Sequence, residues 1–177
     1  MKSSIVTLVL AAAAISAMPS VLPQDATSII EGINGITQLS IDTSNDVAKL
    51  SVSTAPAISP VIVTDLGEID SAFNSAIGKI LLSGPVVGEE AKQVVAALQD
   101  AVTQQQAVLA GLGPKATLAG EDFVTEISAR LSLLRGDVNT LLTSLLVTVP
   151  TESATTTLQL DGLSGSYDQV INIYENE

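Results

Sequence analysis

A chain of 177 residues that is 46% hydrophobic and only 15% charged is too apolar for disorder, so it must bury a core. With 0 His, 0 Cys, 0 Trp, 2 Phe and 2 Tyr, it lacks the usual general base, the usual metal ligands and any disulfide. A net charge of -12, with the lysines and arginines scattered singly, leaves no patch to neutralise phosphates; nucleic acid is excluded as a partner and anionic lipid headgroups are disfavoured.

Residues 1–17 read as a secretory signal: Lys2 is the positive start, Ile5 to Ile15 the apolar stretch, and Ser16 and Ala17 the small residues of a cleavage site. A short segment over 18–24 then leads into one bundle domain over 25–175. The first helix is expected to begin near Ser28, where Ser28-x-x-Glu31 forms a capping box. Its stripe runs Ile29, Ile33, Ile36, Ser40, Thr43, Val47, Leu50, a spacing of three and four that marks one helical face. Pro56 and Pro60 break the chain, and Ser59 is placed to cap a second helix with Pro60 at its first position. That helix carries Ile62, Leu66, Ile69, Phe73, Ile77 and Ile80 and stops at Ser83-Gly84-Pro85.

The third helix has Glu89 and Glu90 in its first turn, where they favour the helix dipole. Its stripe is Ala91, Val94, Leu98, Val102, Gln105, Leu109, Leu112, ending at Gly113-Pro114. The fourth has Thr117 near its start and an unbroken stripe of Gly120, Val124, Ile127, Leu131, Leu134, Val138, Leu141 and Leu145, with Pro150 beyond its end. Thr151 is placed to cap the fifth, marked by Leu160, Leu163, Tyr167, Val170 and Tyr174. The expected fold is all-α: a single-domain antiparallel bundle of about five amphipathic helices joined by short loops.

Catalytic equipment is not found in this pattern. Gly162-Leu163-Ser164-Gly165-Ser166 imitates a nucleophile elbow, but its last residue is not Gly and no His exists to activate Ser164. The acidic pairs Glu89-Glu90, Glu121-Asp122 and Asp65 with Glu68 read as solvated charge at helix starts or on polar faces, without the oxygen spacing of a calcium loop. No catalytic residue, metal site or cofactor is expected.

Five polar residues fall on the apolar stripes: Ser40, Thr43, Gln105, Tyr167 and Tyr174. Either they lie at a wet edge or simply pack, or they are the polar handles of an apolar ligand pocket. On the second reading the lining is Ile33, Ile36, Ser40, Thr43, Leu66, Phe73, Ile77, Leu98, Val102, Gln105, Ile127, Leu131, Leu134, Val138 and Tyr167. A core so poor in rings makes an internal cavity plausible. A closed void above about 300 Å³ would favour a carrier of an acyl chain, and a filled interior an adsorber to apolar surfaces.

Several pieces of punctuation carry a resemblance: the Ile33-x-x-Ile36 opening, the Pro56/Pro60 break, Leu82-Ser83-Gly84-Pro85 ahead of an acidic helix start, Leu109-Ala110-Gly111-Leu112-Gly113, and Val149-Pro150. Together with the export signal and the absence of Cys, this layout resembles the fungal hydrophobic surface binding protein A family, which includes the cell-wall galactomannoproteins. The resemblance implies a secreted, extracellular or wall-associated helical bundle. Its implied partners are a fatty acid or other apolar ligand, hydrophobic surfaces, and cell-wall polysaccharide or a secreted hydrolase. The acidic C-terminal stretch has neither a Ser/Thr-rich tail nor a lipid-anchor signal, so free secretion is the expectation over tight wall attachment.

Overall fold

Apolar stripes as long as these bury only against one another, and in the structure they do so from five helices: α1 (Ala26–Lys49), α2 (Ala55–Leu82), α3 (Glu89–Leu112), α4 (Glu121–Thr148) and α5 (Ser153–Glu175). The structure, a computed structural model, describes residues 26–176, except for the side chains at 121 and 122; the export signal expected over 1–17 and the segment over 18–24 lie outside the described residues. Two short 3-10 turns, Gly113–Leu118 and Pro150–Glu152, precede α4 and α5.

Helix directions alternate along the chain, yet the helices do not stack in chain order. α1 packs against α2 and α3, α2 against α4, α4 against α5, and α5 against α3, which closes a ring. Gly32 near the start of α1 faces Ala76 near the end of α2, so that pair is antiparallel. Gly111 near the end of α3 faces Val47 near the end of α1, so α1 and α3 run parallel. Parallel neighbours need connections that cross the bundle ends, and both crossings are tied down. Val86 N donates to Thr148 O at 2.6 Å at one end. At the other, Lys115 Nζ donates to Val47 O at 2.6 Å and Ala48 O at 3.2 Å, placing a cation on the last carbonyls of α1, where the helix dipole favours it.

Every apolar stripe faces the ring's interior, and Ile127, Leu131, Leu134, Val138 and Leu145 of α4 are fully buried. Helix starts differ from expectation. α1 is already helical at Ala26, so Ser28 and Glu31 lie inside it and the capping box does not open it. The chain turns at 51–54, earlier than the Pro56/Pro60 break. There Thr54 Oγ1 accepts from Ser51 N at 2.9 Å and donates to Lys49 O at 2.7 Å. Pro56 occupies the first turn of α2, where its missing N–H has no place in the helical ladder, whereas Pro60 lies within the helix and costs it the bond an N–H there would have made to Pro56 O. Ser59 therefore caps nothing; its buried hydroxyl donates to Ala119 O at 3.2 Å. Thr117 and Thr151 belong to the 3-10 turns, and α4 is opened by Gly120 at φ 83°, a backbone state that favours glycine.

Two helical glycines mark close approaches. A Cβ on Gly32 would stand 3.1 Å from the Cα of Ala76, and one on Gly111 2.9 Å from Val47 Cγ1, whereas one on Gly35 would meet nothing within 4 Å. Opposite signs are expected on thermal unfolding: Gly32→Ala should destabilise by about 1–2 kcal/mol, while Gly35→Ala should stabilise by up to about 1 kcal/mol.

Candidate functional site

All the pocket residues expected from the stripes are buried, including Ser40, Thr43, Gln105 and Tyr167, so none lies at a wet edge. Their polar atoms are used internally. Ser40 Oγ donates to Ile36 O at 2.6 Å and Thr43 Oγ1 to Leu39 O at 2.8 Å, each within α1. Gln105 Nε2 on α3 donates to Ser40 Oγ at 2.6 Å, and Tyr167 OH on α5 donates to Gln105 Oε1. This chain joins the three parallel helices through the middle of an apolar core. Burial, and after it the Asp137 carboxylate, pushes the Tyr167 hydroxyl above its ordinary range, so it stays a donor.

The interior beside this network is filled. An enclosed apolar void of about 10 Å³ is lined by residues of all five helices, among them Ile36, Phe73, Leu98, Val102 and Gln105. That is room for about one water, not for an acyl chain. The structure thus gathers five of the expected lining residues around the void, and the other ten pack as core without bordering it. The closed void above about 300 Å³ is not found among the described residues.

Open space lies instead at the bundle end where α1, α3 and α5 finish. A groove of about 760 Å³ runs between α4 and α5, lined by Thr117, Gly120, Val124, Thr125, Ser128, Ala129, Ser132, Tyr174 and Glu175. A second groove of about 270 Å³ lies on the other side of Gly120, lined by Val52, Ala55, Pro56, Leu118, Ala119, Gly120 and Phe123. The first exists because Ser128, Ala129 and Ser132 are too small to fill the space between α4 and α5. Tyr174 forms its floor, its hydroxyl donating to Leu112 O at 3.3 Å, and burial raises that hydroxyl above its ordinary range. The stripe reading missed both grooves except for its terminal members Gly120, Val124 and Tyr174. The available signal was the run of small residues at 128, 129 and 132, beside the stripe but not on it.

Charge enters the seams at two other points. Asp65 of α2 meets Asp46 of α1, and burial first, then Asp46, pushes its carboxyl up to about 6. Asp70 of α2 meets Asp137 of α4, and burial first, then Asp70, pushes Asp137 up to about 7. The reading of Asp65 as solvated charge beside Glu68 is thereby corrected: its Oδ2 is buried in the α1/α2 seam. Among the described residues, no three acidic side chains come together to hold a metal, and no helix is long and apolar enough to cross a membrane.

No family profile and no curated protein sequence matches this chain. Its fold does match solved structures. AFMP4P in complex with palmitic acid superposes with a TM-score of 0.77 at 13% identity, over 85% of this chain and 99% of that one. Ligand binding domain 1 of the Penicillium marneffei MP1 protein, complexed with arachidonic acids, gives 0.77 at 14% identity over 84% and 98%. Ligand binding domain 2 of the same protein, complexed with multiple arachidonic acids, gives 0.75 at 16% identity over 86% and 97%. At such identities the likeness establishes the shared all-α bundle fold.

Proposed function

We propose that this protein is an extracellular lipid binder that takes the acyl chain of a fatty acid into the groove between α4 and α5. The observation that carries this reading is the groove itself: about 760 Å³ of partly apolar space on a fold whose solved neighbours hold palmitic and arachidonic acid. That volume falls within the roughly 300–1,000 Å³ of small-molecule sites. Each methylene buried there contributes roughly 0.8 kcal/mol, so it takes roughly ten or more methylenes of a long acyl chain, about 8 kcal/mol and upward, to offset an association cost of roughly 4–15 kcal/mol. The hydroxyls of Thr117, Thr125, Ser128 and Ser132 are available to a headgroup. No Lys or Arg lines the groove and Glu175 stands at its edge, so the carboxylate is held at the mouth, facing water.

Uptake of a fluorescent fatty acid, with native mass spectrometry for stoichiometry, tests the reading. Saturable uptake is expected, and Ala129→Trp should weaken it at least tenfold by filling the groove from an exposed position. Glu175→Lys should tighten it about three- to tenfold at low salt, by replacing a repulsive charge with an attractive one. Absence of saturable uptake by the wild type overturns the proposal.

A second reading, adsorption to hydrophobic surfaces, is favoured by the opposite bundle end. There Leu81, Leu82, Val87, Val147 and Leu158 are all more than half exposed. Leu81→Glu with Leu82→Glu should reduce retention on hydrophobic beads while leaving fatty-acid uptake unchanged. Equal retention of both forms would remove this reading.

A further inference from the structure

The two grooves share one residue as their common wall. Thr117, Gly120 and Val124 border the larger space, and Leu118, Ala119, Gly120 and Phe123 border the smaller. At Gly120 itself the wall has no side chain, and a Cβ placed there would meet nothing within 4 Å. The crest between the grooves is therefore a bare stretch of backbone, low enough to be straddled. Its φ of 83° holds glycine in that place, since other residues would be strained. The segment beneath is pinned by Ser59 Oγ to Ala119 O and by Lys115 to the end of α1, with Ala116 and Ala119 buried, so the crest is a fixed feature.

We propose that the preferred ligand of this end is an uncharged lipid with two apolar chains, one chain in each groove and the linking group over Gly120. The proposal rests on the acyl-chain reading of the larger groove and adds the smaller one as a second subsite. Charge selects the head. Neither groove is lined by Lys or Arg, Lys115 is committed to the α1 carbonyls, and Glu175 borders the larger groove. A phosphate over Gly120 would face the Glu175 carboxylate with no Lys or Arg in either groove, and the first N–H groups of α4 would offset only about 0.3–1 kcal/mol of that, whereas hydroxyl or ester groups carry no such penalty. The smaller groove is lined only by apolar side chains and glycine, so it suits a bare hydrocarbon chain.

Isothermal titration of the full protein with dioctanoylglycerol, monooctanoylglycerol, dioctanoyl phosphatidate and oleic acid tests this. Dioctanoylglycerol is expected to bind one to one, at least tenfold more tightly than monooctanoylglycerol and at least tenfold more tightly than the phosphatidate. Val52→Asp, a change at an exposed position that charges the smaller groove, should erase the advantage over monooctanoylglycerol and leave oleic acid within about twofold. Circular dichroism of the variant verifies its helices. Oleic acid binding with no advantage for the diglyceride, or a Val52→Asp variant that weakens neither or both ligands alike, overturns the two-chain inference while the fatty-acid reading stands. A diglyceride that binds when oleic acid does not overturns the fatty-acid reading alone. Failure of every lipid overturns both.

Discussion

Truncating Gln105 to alanine is expected to lower stability by about 3 kcal/mol, a fall in melting temperature of about 6–12 °C for a chain of this size. Two effects add. The Tyr167 hydroxyl loses its acceptor in a fully buried position, which costs about 1–3 kcal/mol. The missing side chain also enlarges a void that Gln105 already borders, and cavity walls relax only partly. Ser40 is spared, because its hydroxyl keeps Ile36 O as acceptor. The origin of the loss is separable by a double-mutant cycle in urea. Tyr167→Phe alone should destabilise by leaving Gln105 Oε1 unpaired, yet the pair Gln105→Leu with Tyr167→Phe should come within about 1 kcal/mol of the wild type, since both polar ends are then gone. Additive single and double changes would mean that the bond contributes nothing beyond packing.

The same network shows what the sequence made legible. Spacing alone exposed Ser40, Thr43, Gln105 and Tyr167 as polar intruders on apolar faces. It did not show that Gln105 meets both Ser40 and Tyr167, because those bonds span 65 and 62 residues and depend on α3 sitting between α1 and α5. Short loops suggest neighbours in chain order; the ring instead places α4 beside α2. Helix faces were legible throughout, since burial enforces the three-and-four spacing. Helix starts were not, for three local reasons: Pro60 is tolerated inside α2, a 3-10 turn absorbs Thr117, and glycine rather than a side chain opens α4. The larger groove escaped because it is made by what is small. Ser128, Ala129 and Ser132 form no apolar pattern, and only the packing of α5 against α4 turns their small size into space. Asp65 was misjudged for the converse reason: its partner Asp46 lies across a seam that no local pattern marks.

Those carboxylates lead to a second large effect: stability is expected to fall as pH rises from about 5 to about 8, opposite to a protein held by ordinary salt bridges. In the unfolded chain both aspartates titrate near their ordinary value of 3.8, but folding raises Asp65 to about 6 and Asp137 to about 7. The folded state then holds more protons than the unfolded one between those values, so the slope of unfolding free energy with pH is negative there. The contribution is fully present below about pH 4 and is lost as pH rises through 6 and 7. Each carboxyl remains partly solvated, and screening trims the effect, so about 1–2 kcal/mol per pair is the expected loss. The carboxylates facing Asp65 are Asp46 and Asp42 of α1 and Glu68 of its own helix, and Asp70 faces Asp137 beside the un-ionised Tyr167 hydroxyl; Lys49, 2.6 Å from Asp46, offsets part of the repulsion, yet the net push on both aspartates is upward. α2 is the helix that bears a pair on each of its flanks, and the loss should centre there, with faster amide exchange in α2 than in α3 at pH 8. Asp137→Asn supplies a permanent donor to Asp70 without a titrating proton. Its stability should therefore match the wild type near pH 5, exceed it at pH 8, and vary less between the two. Thermal unfolding of both forms across that range decides the point: a wild-type curve that is flat or rises with pH, or an asparagine variant that follows the same slope, would show that the shared proton does not hold these seams.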